Sequence, residues 1–252
     1  MSVTAFQRAD VAREFIDERR RAIPFAQEQL SVMARVARHY VRRAERVVDL
    51  GCGDGLLARV ILNEYPEASA VLVDHSAPML ALAEESMTAY GGRYRAEQYD
   101  LSDPLADFLE AGADIVVSGY AIHHLPDTLK RNLYSEIFKL LRPGGVFINV
   151  EHVASATPRQ EEMFDDALID NLADSTGRNR ADAARNYHDR PDKGDNILAT
   201  VGAQLSWLRE IGFENVDCHF KFLELAVFGG TKPGDCDRDI RVVEPAGTYN
   251  KA

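Results

Sequence analysis

Apolar residues recur along this chain in two alternating rhythms. Short runs rich in valine and isoleucine, at residues 47–50, 70–74, 114–120 and 146–150, read as buried strands. Between them apolar positions fall at helical spacing, over residues 56–65 (ended by Pro66), 78–90 and 126–141. Residues 94–99 read as a weaker strand, and 201–211 as a helix capped by Gly212. Two further runs, 213–219 and 222–228, alternate as an antiparallel hairpin does. Strands alternating with helices predict an α/β fold with a mostly parallel sheet and helices on both faces.

Two stretches lie outside that alternation. Residues 9–44 carry Val11, Phe15, Ile16, Ile23, Phe25, Leu30, Met33, Val36, Ala37 and Tyr40 at helical spacing, interrupted at Pro24. Within it Arg19, Arg20 and Arg21 form a basic run, either a solvated face or an anion contact. Residues 158–173 read as an acidic amphipathic helix, followed by a polar loop through 176–193. This insertion is placed to cap a ligand site, with Tyr187, His188 and Arg190 as candidate contacts. The organisation expected is a helical lid (1–44), a core (45–153), a cap (154–200), a completing helix and hairpin (201–231) and a flexible tail (232–252).

The first strand runs into Asp49-Leu50-Gly51-Cys52-Gly53-Asp54-Gly55 and then a helix. A strand that turns through glycines brings backbone close to a ligand, with amide N–H groups of the helix start facing it. The dinucleotide pattern Gly-x-Gly-x-x-Gly fits Gly51 and Gly53, but its third position is Leu56 and Gly55 falls one place early. The second and third strands also finish in acids, Asp74 and Asp100, and Asp74 lies at the distance from the loop that a ribose-binding carboxylate requires. Asp103 before Pro104 reads as a helix N-cap.

Charge narrows the partners. Twenty-nine Lys and Arg face 40 Asp and Glu, a net charge of −11, which disfavours a nucleic acid. No run approaches membrane-spanning length, and the start has no signal-peptide character, so a cytoplasmic location is expected. Cys52, Cys218 and Cys236 are too widely spaced for a zinc ribbon or a disulfide framework, and Cys52 is read as a small residue that fits its loop.

The loop Asp-x-Gly-x-Gly-x-Gly, the three acidic strand ends and the Leu141-Arg142-Pro143-Gly144-Gly145 turn together resemble the class I S-adenosylmethionine (SAM)-dependent methyltransferases. The resemblance runs from Val47 to Phe228 and implies a Rossmann-like, seven-stranded sheet completed by the hairpin. It implies SAM as cofactor, contacted by Asp49, Gly51, Gly53, Gly55, Asp74, His75, Met79, Asp100, Leu101 and Ser118. Asp49 would lie near the cofactor's ammonium group, Asp74 would accept the ribose hydroxyls, and Asp100 the adenine amino group. The fourth strand runs into Tyr120-Ala121-Ile122-His123-His124-Leu125, where this family's motif IV borders the transferred methyl group. Tyr120, His123 and His124 are thus the catalytic candidates, Tyr120 to favour the cation and His123 as the leading general base. The competing reading packs one ring under the cofactor and bonds the other to a loop.

The substrate implied is a small-molecule O, N or S acceptor, with Phe15 and Phe25 as lid residues and Glu151, His152, Tyr187 and Arg190 around it. His123, His124, Glu151 and His152 lack a HExxH spacing, and no metal is expected. A homodimer is a candidate assembly. The Arg21-Ala22-Ile23-Pro24 stretch and Trp207–Phe213 also resemble carboxy-SAM synthases, which is the alternative function; a non-catalytic SAM-binding subunit and a nicotinamide oxidoreductase follow it.

Overall fold

The computed structural model describes residues 5–17, 19–190 and 193–234. The strands are β1 (Arg46–Leu50), β2 (Ser69–Asp74), β3 (Tyr94–Gln98), β4 (Ala113–Gly119), β5 (Leu141–His152), β6 (Glu214–Phe222) and β7 (Leu225–Thr231). Among the described residues they form one seven-stranded sheet in the order β3-β2-β1-β4-β5-β7-β6. The first five are parallel, and β7 and β6 run antiparallel at the far edge. Chain order reverses between β1 and β4, which opens a crevice at their carboxyl ends.

The helices are α1 (Ala9–Asp17), α2 (Ala26–Tyr40), α3 (Leu56–Glu64), α4 (Ala77–Met87), α5 (Asp127–Leu140), α6 (Pro158–Thr176), α7 (Arg180–His188) and α8 (Val201–Ile211). Adjacent strand residues face opposite layers. Val47, Ile115, Val117 and Ile148 pack with α2 and α3, while Val48, Val116 and Phe147 pack with α5 and α8. Both faces of β1 and β4 are therefore dry, which explains their near-continuous apolar sequence. The Arg-Pro-Gly-Gly turn lies within β5 as a bulge: Ala113 pairs with Leu141, then Ile115 with Val146. Arg142 reaches Asp114, whose other oxygen accepts the N–H groups of Glu45 and Arg46 at 2.8 Å.

Two local expectations are corrected. Asp103 caps nothing; the short 3-10 turn Leu105–Asp107 follows Pro104 with no side-chain cap, and the Leu105 N–H donates to Glu136 of α5. The polar stretch after α6 is largely helix α7. Gly177 ends α6 in the left-handed conformation at φ 67°, and Asn179 starts α7 by accepting the Asp182 N–H. Only Ala183 and Tyr187 of α7 are buried, one turn apart, so its apolar face is too narrow to show as periodicity. Those two residues pack with Ile169 and Leu172 of α6 and with Ala22 from the N-terminal segment. Lid and cap share one small core above the sheet. The expected tail from Lys232 lies outside the described residues beyond Gly234.

Ile169 is buried in this small core, 3% exposed, and separate from the two layers of the main sheet. Ile169→Ala is expected to cost about 2–4 kcal/mol locally. Hydrogen exchange should quicken in α6 and α7 while β1 and β4 keep their protection; uniform quickening would contradict a separable cap.

Candidate active site

The glycine loop is shaped from β2. The N–H groups of Gly51 and Cys52 both donate to the Val73 carbonyl, at 2.7 and 2.9 Å. The Gly53 N–H donates to Asp74 Oδ2 at 2.9 Å, and Asp74 Oδ1 accepts from Ser76 N–H at 2.8 Å. These three amides are turned toward β2, so the loop offers its Cα surface to the cavity, and the Gly55 N–H just before α3 donates to the Cys52 carbonyl. Gly51 has φ 67° and packs so tightly that a Cβ there would lie 2.1 Å from the Ala121 Cβ. A Cβ on Gly53 would meet nothing within 4 Å, because this glycine faces the open cavity.

That cavity, about 290 Å³, runs from the loop to the cap. Its inner end is lined by Gly51, Gly53, Asp74, His75, Met79, Asp100 and Leu101. This is a cradle of small residues, carboxylates and apolar side chains, a donor set suited to a ribose, an adenine and a cationic tail. Asp74 is held above the usual carboxylate range chiefly by burial, against the pull of its backbone hydrogen bonds. Burial raises Asp100 too, but hydrogen bonds from Ser102 outweigh it and leave that carboxyl below its ordinary value.

Three expected cofactor contacts do not line the cavity. Asp49 is wholly buried behind the loop, with Oδ2 accepting the Ala58 N–H of α3 at 2.9 Å and Oδ1 without a partner among the described residues. Gly55 starts α3 at φ 77°, where a Cβ would meet Leu72 at 2.9 Å; it serves helix–sheet packing. Ser118 donates to the Leu50 carbonyl at 2.7 Å and ties β4 to β1. Cys52 does line the cavity, but burial and the neighbouring carboxylates push its thiol well up, so it stays protonated.

The middle of the cavity holds Tyr120, His123, His124 and His152. His123 Nδ1 lies 2.6 Å from Glu151 Oε1, and the His123 N–H donates to Glu151 Oε2 at 3.1 Å. Glu151 has no exposed surface, so it is a partner for His123 rather than a substrate contact. Burial pushes its pKa up to about 7, against opposing hydrogen bonds from the His152 N–H and Asn149. His124 Nδ1 lies 3.2 Å from the Asp195 carbonyl, which ties it to the cap. Tyr120 sits at φ 50° and donates to Gln29 Oε1 at 2.6 Å; burial raises its phenol. His152 Nε2 is 2.8 Å from Glu224 Oε2.

The outer end is formed by lid and cap. Phe15 lines it, with its ring 5.4 Å from Phe6. Phe25 does not: its φ of 55° turns it outward, 46% exposed, against Phe222 at the sheet edge. Tyr187 donates to Asp165 and lies under the Arg190 guanidinium, 4.1 Å from the ring centroid. Phe164, Leu168, Arg178 and Asn196 also line this end, as do Arg20 and Asp54, joined by a 2.5 Å ion pair. Sequence reasoning did not single out Phe164, Leu168, Arg178 and Asn196, whose neighbours come from distant segments; Arg20, from the basic run, does meet an anion, the Asp54 carboxylate.

A methyltransferase-domain family profile matches residues 47–145, from β1 into β5. It therefore covers the loop, the three acidic strand ends, both motif IV histidines and the Pro-Gly-Gly turn. That match, the relatives and the shared folds together support a class I SAM-dependent methyltransferase family. A carboxy-S-adenosyl-L-methionine synthase of Campylobacter lari is 22% identical over 223 residues, 87% of this chain and 91% of that protein. Among solved structures, an O-methyltransferase family protein from Burkholderia thailandensis superposes with TM-score 0.65 at 16% identity over 90% of this chain. Human N-acetylserotonin methyltransferase in complex with SAM does so with TM-score 0.56 at 16% identity over 92%. The chain spans 60% and 58% of those two solved chains, and both likenesses are of fold. As a methyltransferase of this class the chain uses SAM, and the inner end of the cavity fits it.

Asp49 offers a test of the loop's electrostatics. Burial raises its pKa to about 7, well above its unfolded value, so the native state binds the extra proton. Its contribution is present below the unfolded pKa, about 4, and is lost as pH rises through 7. Asp49→Asn should therefore melt above the parent at pH 8 and near it at pH 4.5, by calorimetry without ligand. A pH-independent difference would contradict a buried, half-satisfied carboxylate.

Proposed function

We propose that this enzyme methylates a hydroxyl group of a small molecule held beneath the cap, with His123 as general base. The observation that carries this reading is the 2.6 Å contact between His123 Nδ1 and the wholly buried Glu151. An ionised Glu151 fixes the proton of a neutral His123 on Nδ1 and directs Nε2 away from itself. Nε2 then takes the acceptor's proton, and Glu151 steadies the imidazolium that forms. Burial disfavours a lone charge on Glu151, so the protonated ring and the carboxylate stabilise each other as the proton arrives.

SAM supplies a methyl group on a positive sulfur whose thioether departs without help. Asp74 would hold its ribose hydroxyls, Asp100 and Leu101 its adenine, with Met79 against the base. Tyr120, which lines the cavity, would offer a polarisable face to the cofactor's positive charge. The protein's main work is alignment of hydroxyl and methyl group, which the lid and cap support by closing the outer end. A small-molecule acceptor is favoured because the cavity lies between lid, cap and sheet and the chain's charge of −11 repels polyanions. A cytoplasmic site of action belongs to the proposal, supported by the free thiols of Cys52 and Cys218.

One observation favours a second reading. The Campylobacter lari relative aligns over 87% of this chain, cap included, and Arg178 and Arg190 border the cavity. Guanidinium groups there would suit a carboxylate, as formation of carboxy-SAM requires. Mass spectrometry of small molecules retained by the purified protein separates the readings. SAM or S-adenosylhomocysteine supports methyl transfer, and carboxy-SAM supports the second reading.

Asp74→Ala should weaken SAM binding at least about tenfold while leaving the fold intact. Isothermal titration checks this, and unchanged affinity would overturn the cofactor assignment. His123→Ala should lower turnover of a hydroxyl acceptor by about 10²–10⁴-fold while SAM affinity stays within about twofold. Equal turnover would return that ring to a packing role.

A further inference from the structure

The proposed mechanism uses one imidazole and one buried carboxylate, but the cavity holds a second such pair. His152 ends β5 and borders the same space, its ring 5.7 Å from His123 and 5.2 Å from Phe164. Its Nε2 lies 2.8 Å from Oε2 of Glu224, which sits in the β6–β7 turn and is 2% exposed. The other carboxylate oxygen, Oε1, accepts the Ser155 N–H at 3.1 Å, and the Glu224 carbonyl accepts the Val153 N–H at 2.7 Å. The turn is thereby fastened to the end of β5, and Glu224 has little freedom to leave His152.

An ionised Glu224 accepts only, so a neutral His152 carries its proton on Nε2. Its Nδ1 is then a lone-pair acceptor with no hydrogen-bond partner among the described residues. The two dyads are opposite in sense: Glu151 holds Nδ1 of His123, and Glu224 holds Nε2 of His152. Each histidine thus presents a different ring nitrogen away from its carboxylate, and the rings stand near-perpendicular at 71°. A monohydroxyl acceptor bonded to His123 would leave the Nδ1 of His152 without a donor once water is displaced.

We propose that His152 is a specificity-determining residue whose Nδ1 accepts a hydrogen bond from a second O–H or N–H adjacent to the hydroxyl being methylated. The acceptor class is accordingly one with neighbouring proton donors: a catechol, a vicinal diol or an amino alcohol. This rests on the assignment of His123 as the base at the methylated hydroxyl. His152 does not move the proton that leaves during transfer; it fixes which of two neighbouring groups sits at His123.

The test uses the protein saturated with S-adenosylhomocysteine and two coloured probes, 4-nitrocatechol and 4-nitrophenol, titrated by visible absorbance. The catechol should bind about tenfold more tightly than the phenol. His152→Gln should remove that preference while leaving phenol affinity within about twofold. Glu224→Gln, which leaves the histidine in place but releases its tautomer, should reduce the preference in part and guards against a misfolded first variant. Equal affinity of the two probes for the parent protein, including failure of both to bind, overturns the proposal. So does a His152→Gln effect of the same size on both. Calorimetric binding of S-adenosylhomocysteine is measured in the same samples. Its failure counts against the methyltransferase reading, whereas intact cofactor binding with no probe preference counts against His152 alone.

Discussion

The site depends on how the end of β2 holds the loop that follows β1. Three consecutive N–H groups, from Gly51, Cys52 and Gly53, are taken by the Val73 carbonyl and the Asp74 carboxylate. A loop with that many amides directed backward has one shape, and it places Gly53 at the cavity wall without a side chain between backbone and ligand. The same Asp74 also accepts the Ser76 N–H at the start of α4. One carboxylate therefore fixes both the loop and the start of α4, so the geometry it would offer to the proposed ribose contact is set before any ligand arrives.

Much of this architecture was legible in the sequence. The strands of the parallel core are buried on both faces, so they read as unbroken apolar runs, and the acids that end them mark the crevice. What could not be read was which way polar groups turn. Asp49 and Gly55 in the loop, and Ser118 on β4, stand beside cavity residues but serve α3, the sheet packing and β1. Phe25 keeps helical spacing with its neighbours, yet its left-handed backbone turns it away from the site. Helix α7 was hidden because two buried residues suffice to seat it on α6. The pairing of His123 with Glu151 crosses 28 residues of chain, and no local pattern encodes it.

Charge is arranged unevenly along the cavity. Its inner end carries Asp74 and Asp100, while Asp54 is offset by ion pairs with Arg20 at 2.5 Å and Arg59 at 3.1 Å. Asp54 still adds to the repulsion that raises Asp49, after burial and Asp74, and Arg59 opposes it. Arg20 comes from the N-terminal segment, whose Ala22 joins the cap core. The ion pair therefore links loop electrostatics to the seating of the lid: opening the lid would leave Asp54 with Arg59 alone and return negative potential to the loop.

The two histidine dyads show why carboxylates are tolerated so deep in the fold. An unpaired buried acid is expensive, and Glu151 and Glu224 would be liabilities if each only filled space. Each instead has its oxygens bound by backbone amides and by one imidazole. Those amides belong to the segments that border the site: His123 in the motif IV turn, His152 at the end of β5, and Ser155 where the cap begins. Such a network makes the tautomer of each ring a property of the fold, because reversing it would leave a lone pair facing a carboxylate. On the proposed reading, an acceptor would meet two ring orientations that the fold has already set.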